Sequence, residues 1–222
     1  MELNDVMRTT FAAREFTGDD LPDDVLHDII ENARFAPSGG NRQGNRVIVI
    51  RDPDTRAEIG KLATPPAKRY IAQLSARENP YNTIEPTRVT AAEIENTPPP
   101  VRLIEPLTKA SVVLVFVIDL KVVASTDQFL DRIGMISGAS IYPFVWNVLL
   151  GARQAGFGGV LTTLPIAAEP GLKALLDIPE HFAVAALVPL GKPVKQLTKL
   201  KRRAVEEIAV RERFDGAAFS VG

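Results

Sequence analysis

The segment that most restricts the fold is an uninterrupted apolar run from Val112 to Ile118. It is rich in β-branched residues, which favours a strand over a helix. A strand with apolar side chains on both faces has to be covered on both faces, as in the interior of a layered protein. Phe182 to Leu190 has the same character and predicts a second buried strand. The chain is therefore expected to build a sheet enclosed between two other layers.

Helical and strand patterns alternate along much of the remaining chain. The predicted elements are a helix from about 22 to 33, a strand at 46–51, a helix from 52 to about 63, a strand at 158–162 and a helix at 169–176. With the two buried strands, this order predicts an α+β fold in which helices cover both faces of the sheet. A single domain is expected to span residues 1–222.

Two regions differ from this alternation in composition. Eight of the 17 prolines fall between residues 65 and 106, including Pro98-Pro99-Pro100. Because proline cannot donate a backbone hydrogen bond, this stretch is a poor place for a sheet. It is predicted to be an excursion, or lid, with one helix near 68–77. The stretch 195–222, basic at first and then irregular, is predicted to be a C-terminal extension.

A long stretch without charge lies in the second half of the chain. No charged residue occurs from Ile133 to Ala152, a length that could span a bilayer. Its glycine, serine, proline and asparagine content argues against a membrane span. It predicts instead a helix over about 129–155, buried by protein and kinked at Pro143. This helix is predicted to form the core of a homodimer, because small residues on it allow close approach of a second copy: Gly134, Ser137, Gly138 and Ala139.

The composition limits the chemistry that side chains can perform. There is no cysteine and there are only two histidines, so thiolate catalysis, disulfides and Cys-ligated metals are excluded. No catalytic triad order, paired histidines or paired carboxylates stand out, and no metal site is predicted. A net charge of −1 gives no reason to expect nucleic acid or an anionic membrane as partner. The amino terminus lacks an apolar signal-peptide core, so a cytoplasmic location is the default expectation.

An enzyme with so few reactive side chains implies a cofactor that brings its own reactivity. The glycine cluster at 156–159 does not match the dinucleotide motif G-x-G-x-x-G, and no phosphate-binding P-loop is present. Phosphate-compatible donors are instead dispersed over Arg8, Arg14, the turn at Ser38 and the run 201–203. Flavin mononucleotide (FMN) suits that combination, since guanidinium groups bind phosphate and backbone N–H groups can face the polar edge of the ring.

Six motifs along the chain carry a family resemblance. They are Arg14-Glu15-Phe16 followed by Leu21-Pro22, the run 33–43 (A-R-F-A-P-S-G-G-N-R-Q), the run 147–158, Val160 to Pro165 (V-L-T-T-L-P), the strand from 180 to 191, and the basic run 201–207. In this order they resemble the FMN-dependent nitroreductase superfamily, in the branch near iodotyrosine deiodinase. The resemblance implies a three-layer α/β/α sandwich with a mixed, mostly antiparallel sheet, in an intertwined homodimer.

The resemblance also assigns roles to individual residues. Arg14 would contact the flavin ring or its ribityl chain, and Pro37 and Ser38 would come from the opposite subunit, with Asn41 supporting their loop. The remaining assignments concern the ring edge and the phosphate. Thr162, Thr163 and Leu164 would present hydroxyl and backbone N–H groups near N5 and O4, the Thr163 backbone lying near N5, while Arg202 and then Arg203 would bind the phosphate.

The function implied is an oxidoreductase that takes electrons from NADH or NADPH through FMN. It would pass them to an electron-poor small organic acceptor, nitroaromatic or quinone-like, by ping-pong hydride transfer. Two alternatives stay open. One is a flavin-dependent dehalogenase or another specialised flavin enzyme of the same fold. The other is a dimeric binding protein that has lost its cofactor, because Thr10 to Ala13 stand where the family has an arginine and a serine.

Overall fold

The computed structural model describes residues 1–221, and a four-stranded sheet forms its centre. The strands are β1 (Asn45–Ile50), β2 (Val112–Asp119), β3 (Gly158–Gly159) and β4 (Phe182–Gly191). They lie in the order β1-β2-β4-β3, and every neighbouring pair is antiparallel. One isolated parallel bridge joins Ala12 to Gly159 at the β3 edge. The predicted strands are confirmed, except that β3 is shorter than the predicted 158–162.

Helices cover both faces of this sheet. Their bounds are α1 (Leu3–Thr9), α2 (Asp23–Ala33), α3 (Pro53–Ser75), α4 (Ala91–Asn96), α5 (Val101–Lys109), α6 (Tyr142–Gln154) and α7 (Glu169–Leu175). Helices α2 and α6 pack on one face, while α3, α5 and α7 pack on the other. The α/β/α sandwich is therefore confirmed.

Strand β2 has a continuous apolar run because its side chains enter the cores on both faces of the sheet. Leu114 and Phe116 belong to the core that includes α2 and α6, whereas Val113 and Val115 belong to the core on the opposite face. Successive side chains of a strand point to opposite faces, so both sets have to be apolar when both faces are covered. All four are completely buried.

Helix α3 extends beyond the predicted helix end near residue 63, so that prediction is wrong. It continues through Pro65-Pro66 to Ser75, although proline inside a helix removes a hydrogen bond and costs roughly 3 kcal/mol. Ile59, Ala63 and Ala67 lie at four-residue spacing on its buried face. Their burial against the other helices on that face outweighs the local cost. The excursion predicted at 65–106 consequently holds the end of α3, all of α4 and part of α5, rather than one helix near 68–77.

Helix α6 is much shorter than the predicted helix over 129–155, so that prediction is wrong. It begins at Tyr142, with Pro143 in its first turn, where proline has no intrahelical hydrogen bond to lose and so causes no kink. Residues 126–132 form turns and bends, and Ile136–Ser140 form a 3₁₀ turn. Gly134, Ser137, Gly138 and Ala139 thus lie before the helix and not on it. Across residues 1–221, the helices are all too short or too polar to cross a membrane.

Two glycines fix how α6 leads into β3. Gly156 adopts φ +84° just past the helix end, and the Phe157 N–H returns to the Ala152 carbonyl at 2.8 Å, which ends the helix as predicted. Gly159 lies so close to β4 that a Cβ atom would collide with the Pro189 carbonyl and the Leu190 side chain. This close approach brings the chain after Gly159 against the carboxyl half of β4.

Candidate active site

The main cavity, about 940 Å³ in volume, opens beside this junction. Its floor is the segment from Val160 to Leu164 together with β4. The facing wall comes from the end of α3, the turn after it and α5. The residues that contribute from outside the floor include Arg14, Tyr70, Tyr81, Leu107, Ile133 and Tyr142. The proline-rich excursion therefore forms one side of the cavity.

The segment from Thr162 to Leu164 leaves two backbone donors facing this space. Thr162 exchanges both of its backbone hydrogen bonds with Leu187, at 2.9 Å each, so only its hydroxyl remains available. A 3₁₀ turn starts at Leu164, and the first N–H groups of such a turn have no preceding carbonyl to bind. The Thr163 and Leu164 N–H groups have no acceptor within residues 1–221. Thr163 is exposed and Leu164 is half-buried, so both N–H groups are open to an acceptor from outside the chain.

Arg14 reaches the same cavity because the chain around it is attached to the sheet on both sides. The Ala13 N–H donates to the Gly159 carbonyl at 3.0 Å, and the Thr17 N–H donates to the Lys192 carbonyl at 2.9 Å. The Arg14 guanidinium makes only one long contact, 3.4 Å, to the Ala12 carbonyl. Within residues 1–221, no other charged side chain lines the cavity.

A bulge in β4 shapes the cavity wall. The β2–β4 register shifts at Phe116/Val117, which leaves an extra residue, Ala185, in β4. Two side chains satisfy the backbone groups that the bulge frees. The Val184 N–H donates to Glu169 Oε1 at 2.6 Å, and the Tyr142 hydroxyl donates to the Ala185 carbonyl at 3.1 Å. Since Val184 and Tyr142 both line the cavity, these bonds hold its wall in place.

The loop after α2 lies at a second, smaller cleft of about 280 Å³. Pro37 and Ser38 line it together with residues of the 3₁₀ turn before α6. The Asn41 N–H donates to the Ser38 carbonyl at 2.8 Å, and the Gln43 N–H donates to Ser38 Oγ at 3.0 Å, so the loop is a closed turn. Pro37, Ser38 and Asn41 are therefore not part of the main cavity within one chain.

The two predicted phosphate-binding arginines also lie outside the main cavity. Arg202 and Arg203 are exposed in the C-terminal stretch, where Arg202 Nη1 donates to the Lys201 carbonyl at 2.8 Å. Of the predicted site residues, one chain thus brings together Arg14, Thr162, Thr163 and Leu164. The other five, Pro37, Ser38, Asn41, Arg202 and Arg203, stand apart from them.

Residues 7–192 match the sequence model described as “Nitroreductase family”. The chain belongs to the nitroreductase family. Within residues 1–221 the matched region contains every strand of the sheet and the whole lining of the main cavity.

Individual proteins are similar over most of the chain. Human iodotyrosine deiodinase 1 is 23% identical over 212 residues, covering 94% of this chain and 68% of the relative. A protein named NADH dehydrogenase from Thermus thermophilus is 27% identical over 203 residues, covering 89% of each. The structure of oxidized iodotyrosine deiodinase bound to FMN and 3-iodo-L-tyrosine superposes with a TM-score of 0.68 at 19% identity, covering 96% of this chain and 99% of that one. This likeness establishes the nitroreductase fold.

A buried carboxylate organises the loop between β2 and α6, which contributes to both cavities. Asp127 is 3% exposed and accepts hydrogen bonds from the Met135 N–H at 2.7 Å, Arg132 Nη1 at 2.8 Å, Ser125 Oγ at 3.1 Å and the Ile136 N–H at 3.3 Å. These bonds, first the one from Met135, lower the pKa of Asp127 to about 2. Asp127 thereby holds the backbone between Ile133 in the main cavity and Ile136 in the smaller cleft.

We expect Asp127→Asn to lower the melting temperature, because asparagine loses the ion pair and one acceptor oxygen. The ionised carboxylate stabilises the fold fully above its ordinary pKa of 3.8, and this contribution is lost as the pH falls towards about 2. Thermal melts of both proteins between about pH 2.5 and 7 should differ by a constant amount above about pH 5 and converge below about pH 4. Asp131→Asn, at an exposed site without hydrogen bonds, is the control; equal effects of the two variants would contradict this role.

Sequence reasoning missed three contributors to the site. Tyr142 and Ile133 were assigned to one long helix, although Pro143 is itself a signal for a helix start just before it. Asp127 was not singled out from the sequence. Its signal was weak, namely a carboxylate between turn-forming residues and followed by glycines, and only the fold reveals that it is buried.

Proposed function

We propose that this chain is an FMN-dependent oxidoreductase that uses NADH or NADPH to reduce an electron-poor small organic acceptor. One observation carries the proposal: two unpaired backbone N–H groups, at Thr163 and Leu164, share a cavity with the Arg14 guanidinium, which makes a single long hydrogen bond of 3.4 Å within residues 1–221. An anionic, flat, redox-active group requires hydrogen-bond donors at its polar ring edge and a single positive charge.

The residues present fit FMN. The cavity volume of about 940 Å³ is at the upper end of the range of roughly 300–1,000 Å³ for cofactor and ligand sites. Its apolar side chains suit the faces of a flat ring system, and its donors suit the ring's oxygen and nitrogen edge. When bound, FMN would supply the hydride and electron transfer that the chain's own side chains cannot perform.

Within this proposal the chain's residues bind and orient rather than react. The Thr163 and Leu164 N–H groups and the Thr162 hydroxyl hold the ring edge near N5 and O4, the Thr163 N–H being nearest N5. Arg14 would contact the ring or the ribityl chain. The bonds of Tyr142 and Glu169 to the β4 bulge keep this wall rigid, so that the donors stay aligned.

The proposal includes a homodimer, in which a second copy brings Pro37 and Ser38 to the flavin with Asn41 supporting their loop. Arg202, with Arg203 beside it, binds the phosphate. The position of these residues outside the main cavity of their own chain supports this arrangement. Exposed apolar side chains near the smaller cleft and on α6 support a second copy there, including Met135 and Trp146, which are 73% and 43% exposed.

A visible absorption spectrum tests the proposal. We expect the purified protein to carry flavin bands, to release FMN on denaturation, and to bleach when NADH or NADPH is added without oxygen. Size-exclusion chromatography with light scattering should give twice the mass of the 24.1 kDa chain. Protein that is colourless and gains no bands when FMN is supplied would refute the proposal and favour the cofactor-free binding protein.

A second candidate function is supported by the names of the relatives. Human iodotyrosine deiodinase 1 is similar over 94% of this chain, which favours a flavin-dependent dehalogenase. Turnover of nitroaromatics and of halophenols by the same preparation separates the two functions. Faster loss of halide from halophenols than reduction of nitroaromatics would favour the dehalogenase.

A further inference from the structure

The main cavity has an unequal charge distribution. Among residues 1–221, its lining holds one cation, Arg14, and no carboxylate. The rest of the lining consists of apolar side chains and hydroxyl groups. A charged group that is moved from water into such surroundings costs several kcal/mol unless an opposite charge meets it. The lining can therefore compensate an anion but not an ammonium group.

The charged residues of the neighbouring excursion are absent from the cavity lining, and three of them are bonded elsewhere. Glu78 accepts a hydrogen bond from Thr87 Oγ1 at 2.6 Å, and Glu93 forms a capping box with Thr90 at the start of α4. Lys68 Nζ donates to the carbonyl oxygen of Glu95. None of these side chains lines the cavity. They stabilise the excursion and leave the cavity wall uncharged.

Two tyrosines on this wall use their hydroxyls differently. The Tyr81 hydroxyl donates to the Pro66 carbonyl at 3.0 Å, and burial raises the pKa of this phenol. The Tyr70 hydroxyl makes no hydrogen bond within residues 1–221. It is not buried, and Tyr70 lines the cavity. Tyr70 is thus free to donate to a molecule in the cavity.

We propose that this site selects an aromatic acceptor without an ammonium group and that Tyr70 donates a hydrogen bond to an oxygen of that acceptor. Neutral quinones, nitroaromatics and phenolates meet these conditions, whereas zwitterionic amino acids such as 3-iodo-L-tyrosine do not. The inference rests on the proposed function for the location of the site. It distinguishes the acceptor of this chain from 3-iodo-L-tyrosine, which is bound in the structural relative.

The test compares two molecules with the same reacting ring, 2-nitrophenol and 3-nitro-L-tyrosine, which differ in the amino-acid group. We expect calorimetric titration of the protein as purified to give a Kd at least about tenfold lower for 2-nitrophenol, equivalent to about 1.4 kcal/mol. Equal or tighter binding of 3-nitro-L-tyrosine, or binding of neither molecule, would overturn the inference. The flavin absorption bands report separately on the proposed function, so the two failures are distinguishable.

The role of Tyr70 is tested with a matched variant. Tyr70→Phe should raise the Kd for 2-nitrophenol by about 2- to 12-fold, the effect of one hydrogen bond, with little change in melting temperature. Thr87→Val is the control, because the Thr87 hydroxyl is bonded to Glu78 within the protein and Thr87 does not line the cavity. It should lower the melting temperature and leave the Kd within about twofold of the wild type. An unchanged Kd in Tyr70→Phe would contradict the assignment.

Discussion

Arg14→Ala is expected to weaken FMN binding by about 1.5–3 kcal/mol, or roughly 10- to 150-fold in Kd, the range for a hydrogen bond to a charged group. Within residues 1–221, the Arg14 guanidinium is the only charged group that lines the cavity. It makes one long hydrogen bond, 3.4 Å, to the Ala12 carbonyl. Its removal therefore costs binding without breaking an internal ion pair. Quenching of flavin fluorescence during titration of the apoprotein measures the change.

The control for this experiment is Arg102→Ala. Arg102 is exposed on α5 and does not line the main cavity. This variant should bind FMN as the wild type does. An equal loss in both variants would mean that Arg14 acts through general electrostatics, and an unchanged Kd in Arg14→Ala would remove its role in binding.

Phe116→Ala is expected to destabilise the fold by about 3–5 kcal/mol and to lower the melting temperature by roughly 6–20 °C. Phe116 is completely buried in β2, and its ring meets the Phe144 ring edge-on with the centroids 5.5 Å apart. Alanine leaves a cavity between the sheet and α6 that the surrounding helices cannot close. Chemical denaturation monitored by circular dichroism gives the free energy of unfolding.

Phe214→Ala is the matched control, since the same side chain is there fully exposed. Its free energy of unfolding should stay within about 0.5 kcal/mol of the wild type. A loss in Phe116→Ala as small as in this control would contradict the position of β2 at the centre of the sandwich.

The layered fold could be predicted because its signals are local and repeated. The apolar run at Val112 to Ile118 required cover on two faces, and the alternation of helical and strand patterns supplied helices for both. Antiparallel pairing and strand order could not be derived from these patterns. They depend on which strand edges meet. The mostly antiparallel pairing came only from the resemblance, and the strand order was not predicted.

The errors in helix boundaries arose where tertiary packing outweighed local preference. Pro65-Pro66 indicated a helix end, yet the buried stripe of Ile59, Ala63 and Ala67 carries α3 through both prolines. In the opposite sense, the uncharged stretch before Tyr142 was read as helix. There Asp127 binds the backbone N–H groups of the loop and competes with helix formation.

The site was predictable only in part. The sequence motifs identified Arg14 and the segment from Thr162 to Leu164, which the fold brings to one cavity. The motifs could not reveal that the Thr162 N–H is already paired, because that depends on its bridge to Leu187 in β4. Tyr142 and the excursion wall were also beyond prediction, since residues distant in the sequence form them.

The central claim is that the Thr163 and Leu164 N–H groups bind the edge of FMN, and the amide signal of Thr163 tests it most directly. Protein labelled with ¹⁵N-threonine and assigned with Thr163→Ser gives a two-dimensional NMR spectrum with and without FMN. We predict that the Thr163 amide shifts strongly on saturation and exchanges with water more slowly, while Thr90, remote at the α4 cap, stays in place. Saturation with FMN that leaves the Thr163 amide unmoved would contradict the account.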